Sequence, residues 1–99
     1  MVKIMNKTKR IRDYNINVGD FETGYKNSIT DIKGVKVGHY TLASGEIRTG
    51  VTAVLPHNGN LFKEKIIAAS HVINGFGKST GLIQINELGT IETPILLTN

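Results

Sequence analysis

The run Thr49-Gly50-Val51-Thr52-Ala53-Val54-Leu55-Pro56 constrains this chain most. It is rich in β-branched residues and closed by proline, so it reads as a strand. Val35 to Leu42 has the alternation of a half-buried strand, with Gly34 suited to the turn before it. Residues 43–48 form a turn-rich connection, and Asn58-Gly59 is a turn signal. Residues 66–74 form a continuous apolar run with a small-residue centre. Its length and the following Asn-Gly favour a strand buried on both faces over part of a helix.

Beyond the glycines at 75 and 77 the period changes. Leu82, Ile85 and Leu88 recur every third residue. Ser79 or Thr80 can cap the start and Gly89 can end the segment, which predicts a short helix over 80–88. A last strand begins at Pro94, where a missing N–H is tolerated. The order is loop, strand, strand, strand, helix, strand, which is α/β or α+β material. The run ending at Asn99 stops directly after an apolar strand, and one short helix does not cover two sheet faces. The expectation is the opening part of a longer protein.

Ninety-nine residues make one domain at most. At 39% apolar and 20% charged, the chain reads as neither disordered nor membrane-spanning. It holds no cysteine, which excludes disulfides, thiolate metal sites and a cysteine nucleophile. The net charge of +4 is concentrated in Lys3, Lys7, Lys9, Arg10 and Arg12. Residues 1–26 therefore read as a basic arm followed by loops. Without aromatic interleaving or a nucleic-acid motif, the arm reads as a solvated start and no nucleic-acid partner is expected. The start lacks the apolar core of a secretory signal and no apolar run is long enough to span a membrane, so a cytoplasmic location is the default.

Gly77-Lys78-Ser79 imitates the end of a phosphate-binding loop. That loop needs a glycine five positions before Gly77, where Val72 stands, so the backbone cradle does not close. A dinucleotide fingerprint fails at Thr80, which occupies the place of the third glycine. His39, His57 and His71 are too widely spaced to form a local metal pair, and no metal is expected. Ser70, His71 and Asp31 can be written as a triad, but no spacing supports it. Glu87 and Glu92 flank Gly89, facing one another or solvent; Glu87 opposes the helix dipole and reads as a helix-surface residue.

The most informative stretch is Asn74-Gly75-Phe76-Gly77, between an apolar run and a helix. Glycines there permit positive φ and close approach by a ligand. Its plainer reading is a tight strand-to-helix turn, with Phe76 a pocket wall or a core residue.

Many ordered blocks carry a family resemblance. They are Ile29-Thr30-Asp31 with Gly34-Val35 and Val37-Gly38-His39, and Thr49-Gly50-Val51-Thr52 with Leu55-Pro56. Asn74-Gly75-Phe76-Gly77 with Thr80-Gly81-Leu82 follows, then Glu87-Leu88-Gly89, Glu92-Thr93-Pro94-Ile95 and Leu97-Thr98-Asn99. From about residue 27 to 99 the chain resembles the start of the DmpA-type aminopeptidases, the L-aminopeptidase/D-esterase family that includes D-aminopeptidases and β-peptidyl aminopeptidases.

The resemblance implies a four-layer αββα sandwich and a precursor that cleaves itself into two chains. The new N-terminal serine is the nucleophile, and N-terminal amino acids leave peptides, amides or esters through an acyl-enzyme. No metal or organic cofactor is implied. The partners implied are a peptide or amino-acid amide or ester substrate, the remainder of its own precursor, and further copies in an oligomer. The family's serine, oxyanion asparagine and catalytic tyrosine lie in segments beyond Asn99, and none transfers to Ser28, Ser44, Ser70, Ser79, Tyr40 or Asn99. Residues 27–99 are thus expected to supply sheet and pocket wall in an incomplete domain inactive by itself, with Asn74, Gly75, Phe76 and Gly77 as substrate-binding residues. The alternative is a non-catalytic binding module that keeps the same layer.

Overall fold

The computed structural model describes residues 8–99. Lys3 and Lys7 of the basic arm lie outside them. Strand β1 (Lys36–Ser44) and strand β2 (Ile47–Leu55) form an antiparallel hairpin, with Lys36 opposite Leu55 and Ser44 opposite Ile47. The two-residue loop begins at Gly45 with φ 58°, a conformation that favours glycine. Strand β5 (Ile95–Thr98) adds antiparallel to the other side of β2, giving the order β1-β2-β5. A second, two-stranded sheet pairs β3 (Ile66–Ile67) with β4 (Thr90–Ile91). Helix α1 (Leu82–Leu88) runs into β4. This is an α+β arrangement of antiparallel sheets with little helix.

The two long strands fall close to where alternation and β-branching place them, but residues 43–44 and 47–48 join the ladder, so the connection expected over 43–48 shrinks to Gly45-Glu46, and Val37 is the one half-buried residue of β1. Gly50 has a packing reason to be glycine, because a Cβ there would sit 2.6 Å from the Tyr40 carbonyl oxygen. The Thr98 hydroxyl donates to the Gly50 carbonyl at 2.9 Å and ties β5 to the centre of the sheet.

Two further expectations need correction. The strand over 66–74 is regular only at Ile66–Ile67. Its partner β4 is equally short, and one further bond, from Ala68 N–H to Gly89 O at 3.0 Å, closes the ladder where α1 ends. Beyond that, Ala68-Ala69-Ser70 has weak strand preference. The run is also not buried on both faces, since Ile67 and Ile73 are about nine-tenths exposed. The second correction concerns the helix start. Gly81, with φ 90°, stands at the N-cap, and neither Ser79 nor Thr80 caps the helix through its side chain. The other end is as expected: Gly89 takes φ 66° and its N–H bonds Ile85 O at 2.7 Å.

Residues directly opposite one another in an antiparallel sheet share a face. One face of β1-β2-β5 therefore carries Tyr40, Leu42, Ile47, Val51, Leu55 and Leu96. All six are exposed, from 38% at Leu55 to 70% at Tyr40. The opposite face carries Val37, Val54 and Ile95, beside a cross-strand bond of 2.8 Å between His39 Nδ1 and Thr52 Oγ1. Among the described residues, Val54 and Leu61 are the buried apolar side chains.

The surface measures 9500 Å², against roughly 5,500 Å² for a compact monomer of this mass. The radius of gyration is 17.0 Å, against about 13 Å for a compact chain of this length. The sheet is well formed, but one of its apolar faces is uncovered.

Candidate functional site

A groove of about 310 Å³ lies between α1, the segment after β3 and the start of β5. Ala68, Ala69 and Ser70 line it together with Thr80, Leu82, Ile85, Ile91 and Pro94–Leu96. Leu82 and Ile85 are the half-buried members of the helix's apolar repeat, whereas Leu88 is exposed. Three-residue spacing on so short a helix brings two of the three residues to the groove side.

Polar side chains brace this region. Ser70 Oγ donates to Asn86 Oδ1 at 2.7 Å, joining the irregular segment to α1. Gln84 Nε2 donates to Glu92 Oε1 at 2.9 Å, and Lys65 Nζ lies 3.4 Å from Glu92 Oε2. Glu92 thus links α1 and the residue before β3 to the segment between β4 and β5. It faces these two partners rather than Glu87. The Lys65 ammonium also lies over the Phe62 ring, 4.2 Å from its centroid.

Asn74, Gly75, Phe76 and Gly77 occupy the connection between two groove-lining residues, Ser70 and Thr80. None of the four lines the groove itself. Phe76 is 97% exposed, so within this chain it is neither a core residue nor a covered wall. Its N–H donates to Asn74 Oδ1 at 3.2 Å, a local turn closed by the asparagine side chain. Gly75 and Gly77 do not take positive φ, and a Cβ at either would meet open space. They are therefore free of any intrachain demand for glycine.

The histidines remain apart. His39 pairs with Thr52, as above. His57 accepts from Gly59 N–H through Nδ1 at 2.9 Å and donates from Nε2 to Glu64 O at 2.7 Å. These partners assign the tautomer protonated on Nε2. Among the described residues no three His, Asp or Glu side chains gather as a metal site would require. Asp31 accepts from the N–H groups of Lys26 and Ser28, at 3.0 and 3.3 Å to its nearer oxygens. It closes an N-terminal loop, while Ser70 is occupied with Asn86, so the triad written from Ser70, His71 and Asp31 is not assembled.

A second hollow of about 430 Å³ is lined by Arg12, residues 21–24 and 27–29, and Asp31. Arg10 and Arg12 are committed to this loop. Arg10 donates to Lys26 O and Asn27 O at 2.9 and 3.0 Å, and Arg12 to Asn17 Oδ1 at 3.0 Å. Two charges of the basic arm therefore serve as loop braces. The groove was not legible in the sequence. Its signals were the small residues at 68–70 and the first two positions of the helix repeat.

Comparison with known proteins decides the family. The profile of peptidase family S58 matches residues 27–99. The chain belongs to that family. It is 39% identical over 85 residues to the β-peptidyl aminopeptidase BapA of Sphingosinicella microcystinivorans, covering 77% of this chain and 21% of that protein. The enzyme of the same name from Sphingosinicella xenopeptidilytica is 40% identical over 84 residues, covering 76% and 21%. The crystal structure of the PH0078 protein from Pyrococcus horikoshii OT3 superposes with a TM-score of 0.80 at 55% identity, covering 89% of this chain and 28% of that one. The S58 chain described here thus spans about a fifth of the curated relatives it matches. The family resemblance read from the ordered motif blocks stands. No helix among the described residues is long and apolar enough to cross a membrane.

Proposed function

We propose that this S58 chain is the N-terminal portion of a self-processing serine aminopeptidase. The enzyme releases N-terminal amino acids from peptides, amides or esters through an acyl-enzyme on the N-terminal serine of its second chain. The observation that carries this reading is the family match over residues 27–99 by a chain spanning 21% of its aminopeptidase relatives.

Within that enzyme, residues 27–99 supply scaffold. The uncovered face with Tyr40, Leu42, Val51 and Leu96 takes the remainder of the precursor, so that the sheet becomes an inner layer of a four-layer αββα sandwich. Burying such a face is worth about 25 cal/mol per Å² of apolar area, which favours the complete protein over the separate piece. The turn Asn74 to Gly77 lines the substrate pocket, where Gly75 and Gly77 leave room for a peptide backbone and the exposed Phe76 ring gives it an apolar contact. The nucleophile attacks with its own α-amino group or nearby polar side chains as base, a chemistry that calls for no cofactor. The 99 residues alone are inactive, and the complete enzyme is a cytoplasmic oligomer.

The test is expression of the complete coding frame that carries this sequence. The reading expects two chains by intact mass, with a serine at the start of the second, and hydrolysis of amino-acid or β-amino-acid p-nitroanilides. A single uncleaved chain without hydrolysis rejects it.

A further inference from the structure

The chain contains two Asn-Gly pairs, Asn58-Gly59 and Asn74-Gly75, and the fold treats them differently. An asparagine followed by glycine is open to intramolecular attack by the glycine nitrogen on the side-chain carbonyl carbon, because no Cβ obstructs the approach. Whether the attack occurs depends on the freedom of that nitrogen.

At the first pair the nitrogen is held. Gly59 N–H donates to His57 Nδ1 at 2.9 Å, and the ring is fixed in turn by its bond to Glu64 O at 2.7 Å. Gly59 is also hemmed in: a Cβ there would meet Glu64 Oε2 at 3.0 Å and the His57 ring at 3.1 Å. Turning the Gly59 nitrogen towards Asn58 breaks the bond to His57 and displaces its neighbours.

At the second pair nothing holds the nitrogen. Among the described residues Gly75 N–H makes no hydrogen bond, and nothing lies within 4 Å of its Cβ position. The flanking Ile73 and Phe76 are 91% and 97% exposed. The one bond found in the turn leaves the Gly75 nitrogen free. Phe76 N–H donates to Asn74 Oδ1 at 3.2 Å, a bond to the side-chain carbonyl oxygen and not to the nitrogen.

From this contrast we infer that Asn74 is a site of selective spontaneous deamidation. The Gly75 nitrogen forms a bond to Asn74 Cγ, and the side-chain Nδ2 leaves as ammonia, taking up the proton that Gly75 N loses. Water then opens the five-membered imide at either carbonyl, giving aspartate or isoaspartate at position 74. No electrons are transferred, and water is the only co-reactant. The product replaces a neutral amide by a carboxylate, which changes the charge of the connection between Ser70 and Thr80. The isoaspartate product also lengthens the backbone there. This inference does not depend on the role proposed for the turn.

The experiment incubates the full 99-residue chain in mildly alkaline buffer and follows both sites by peptide mapping with isoaspartate detection. Asn74 converts at least about fivefold faster than Asn58, the rate equivalent of one ordinary hydrogen bond. In concentrated guanidinium the two rates converge, and His57→Ala raises conversion at Asn58 while leaving Asn74 unchanged. Equal rates in native buffer overturn the inference. A difference that persists in guanidinium also overturns it, by assigning selectivity to local sequence alone.

Discussion

Gly50 and Tyr40 meet across the central hairpin so closely that a Cβ on Gly50 would stand 2.6 Å from the Tyr40 carbonyl oxygen. The contact is backbone on one side, so no side-chain rotation relieves it. Gly38, on the neighbouring strand, has nothing within 4 Å of its Cβ position. Gly50→Ala is therefore expected to destabilise the chain by about 1–3 kcal/mol, while Gly38→Ala changes little. Urea unfolding midpoints of the two variants check this, and equal midpoints refute the packing argument.

Glu92 binds Gln84 and Lys65 at once. The side chains of Lys65 and Glu92 are 34% and 19% exposed, so solvent screens much of their attraction. A double-mutant cycle with Lys65→Met and Glu92→Gln is expected to give a coupling of about 0.2–1 kcal/mol. Added salt should reduce it, and a coupling insensitive to salt would show that packing rather than charge joins the two.

Gly89 ends α1 with φ 66°, a conformation that a side chain disfavours. Gly89→Ala should cost about 1 kcal/mol, with Gly89→Asn recovering part of the loss. Far-ultraviolet circular dichroism during thermal melting reads the effect, and an unchanged melting temperature contradicts it.

The face with Tyr40, Leu42, Val51 and Leu96 is exposed in the separate chain. It should bind a hydrophobic fluorescent dye strongly, as contiguous exposed apolar surface does. Val51→Lys with Leu96→Lys places two charges on that face and should remove most of the signal. Undiminished dye binding would place the accessible apolar surface elsewhere.

Legibility in the sequence followed the range of the interactions concerned. The two long strands were readable because β-branching, alternation and Pro56 act within a few residues. Gly89 was readable as a helix end because the left-handed position there is local. The run at 66–74 misled because an apolar strand needs partners, and partners are set by residues distant in sequence. Here β4 offers two residues, Thr90 and Ile91, directly after Gly89. Ser79 and Thr80 were natural caps by composition, yet the chain enters α1 through the left-handed Gly81. The groove depends on Ala68–Ser70 meeting Pro94–Leu96, which no single stretch encodes. The family was legible because many short blocks recur in order, although the geometry of no one block specifies a peptidase.

These residues are proposed as scaffold of an S58 aminopeptidase whose nucleophile lies outside them. The most direct test is hydrolysis of amino-acid and β-amino-acid p-nitroanilides by the purified 99-residue chain, with mass spectrometry confirming that no other polypeptide is present. No release of p-nitroaniline above the buffer rate is expected. Sustained turnover by that chain alone would contradict it.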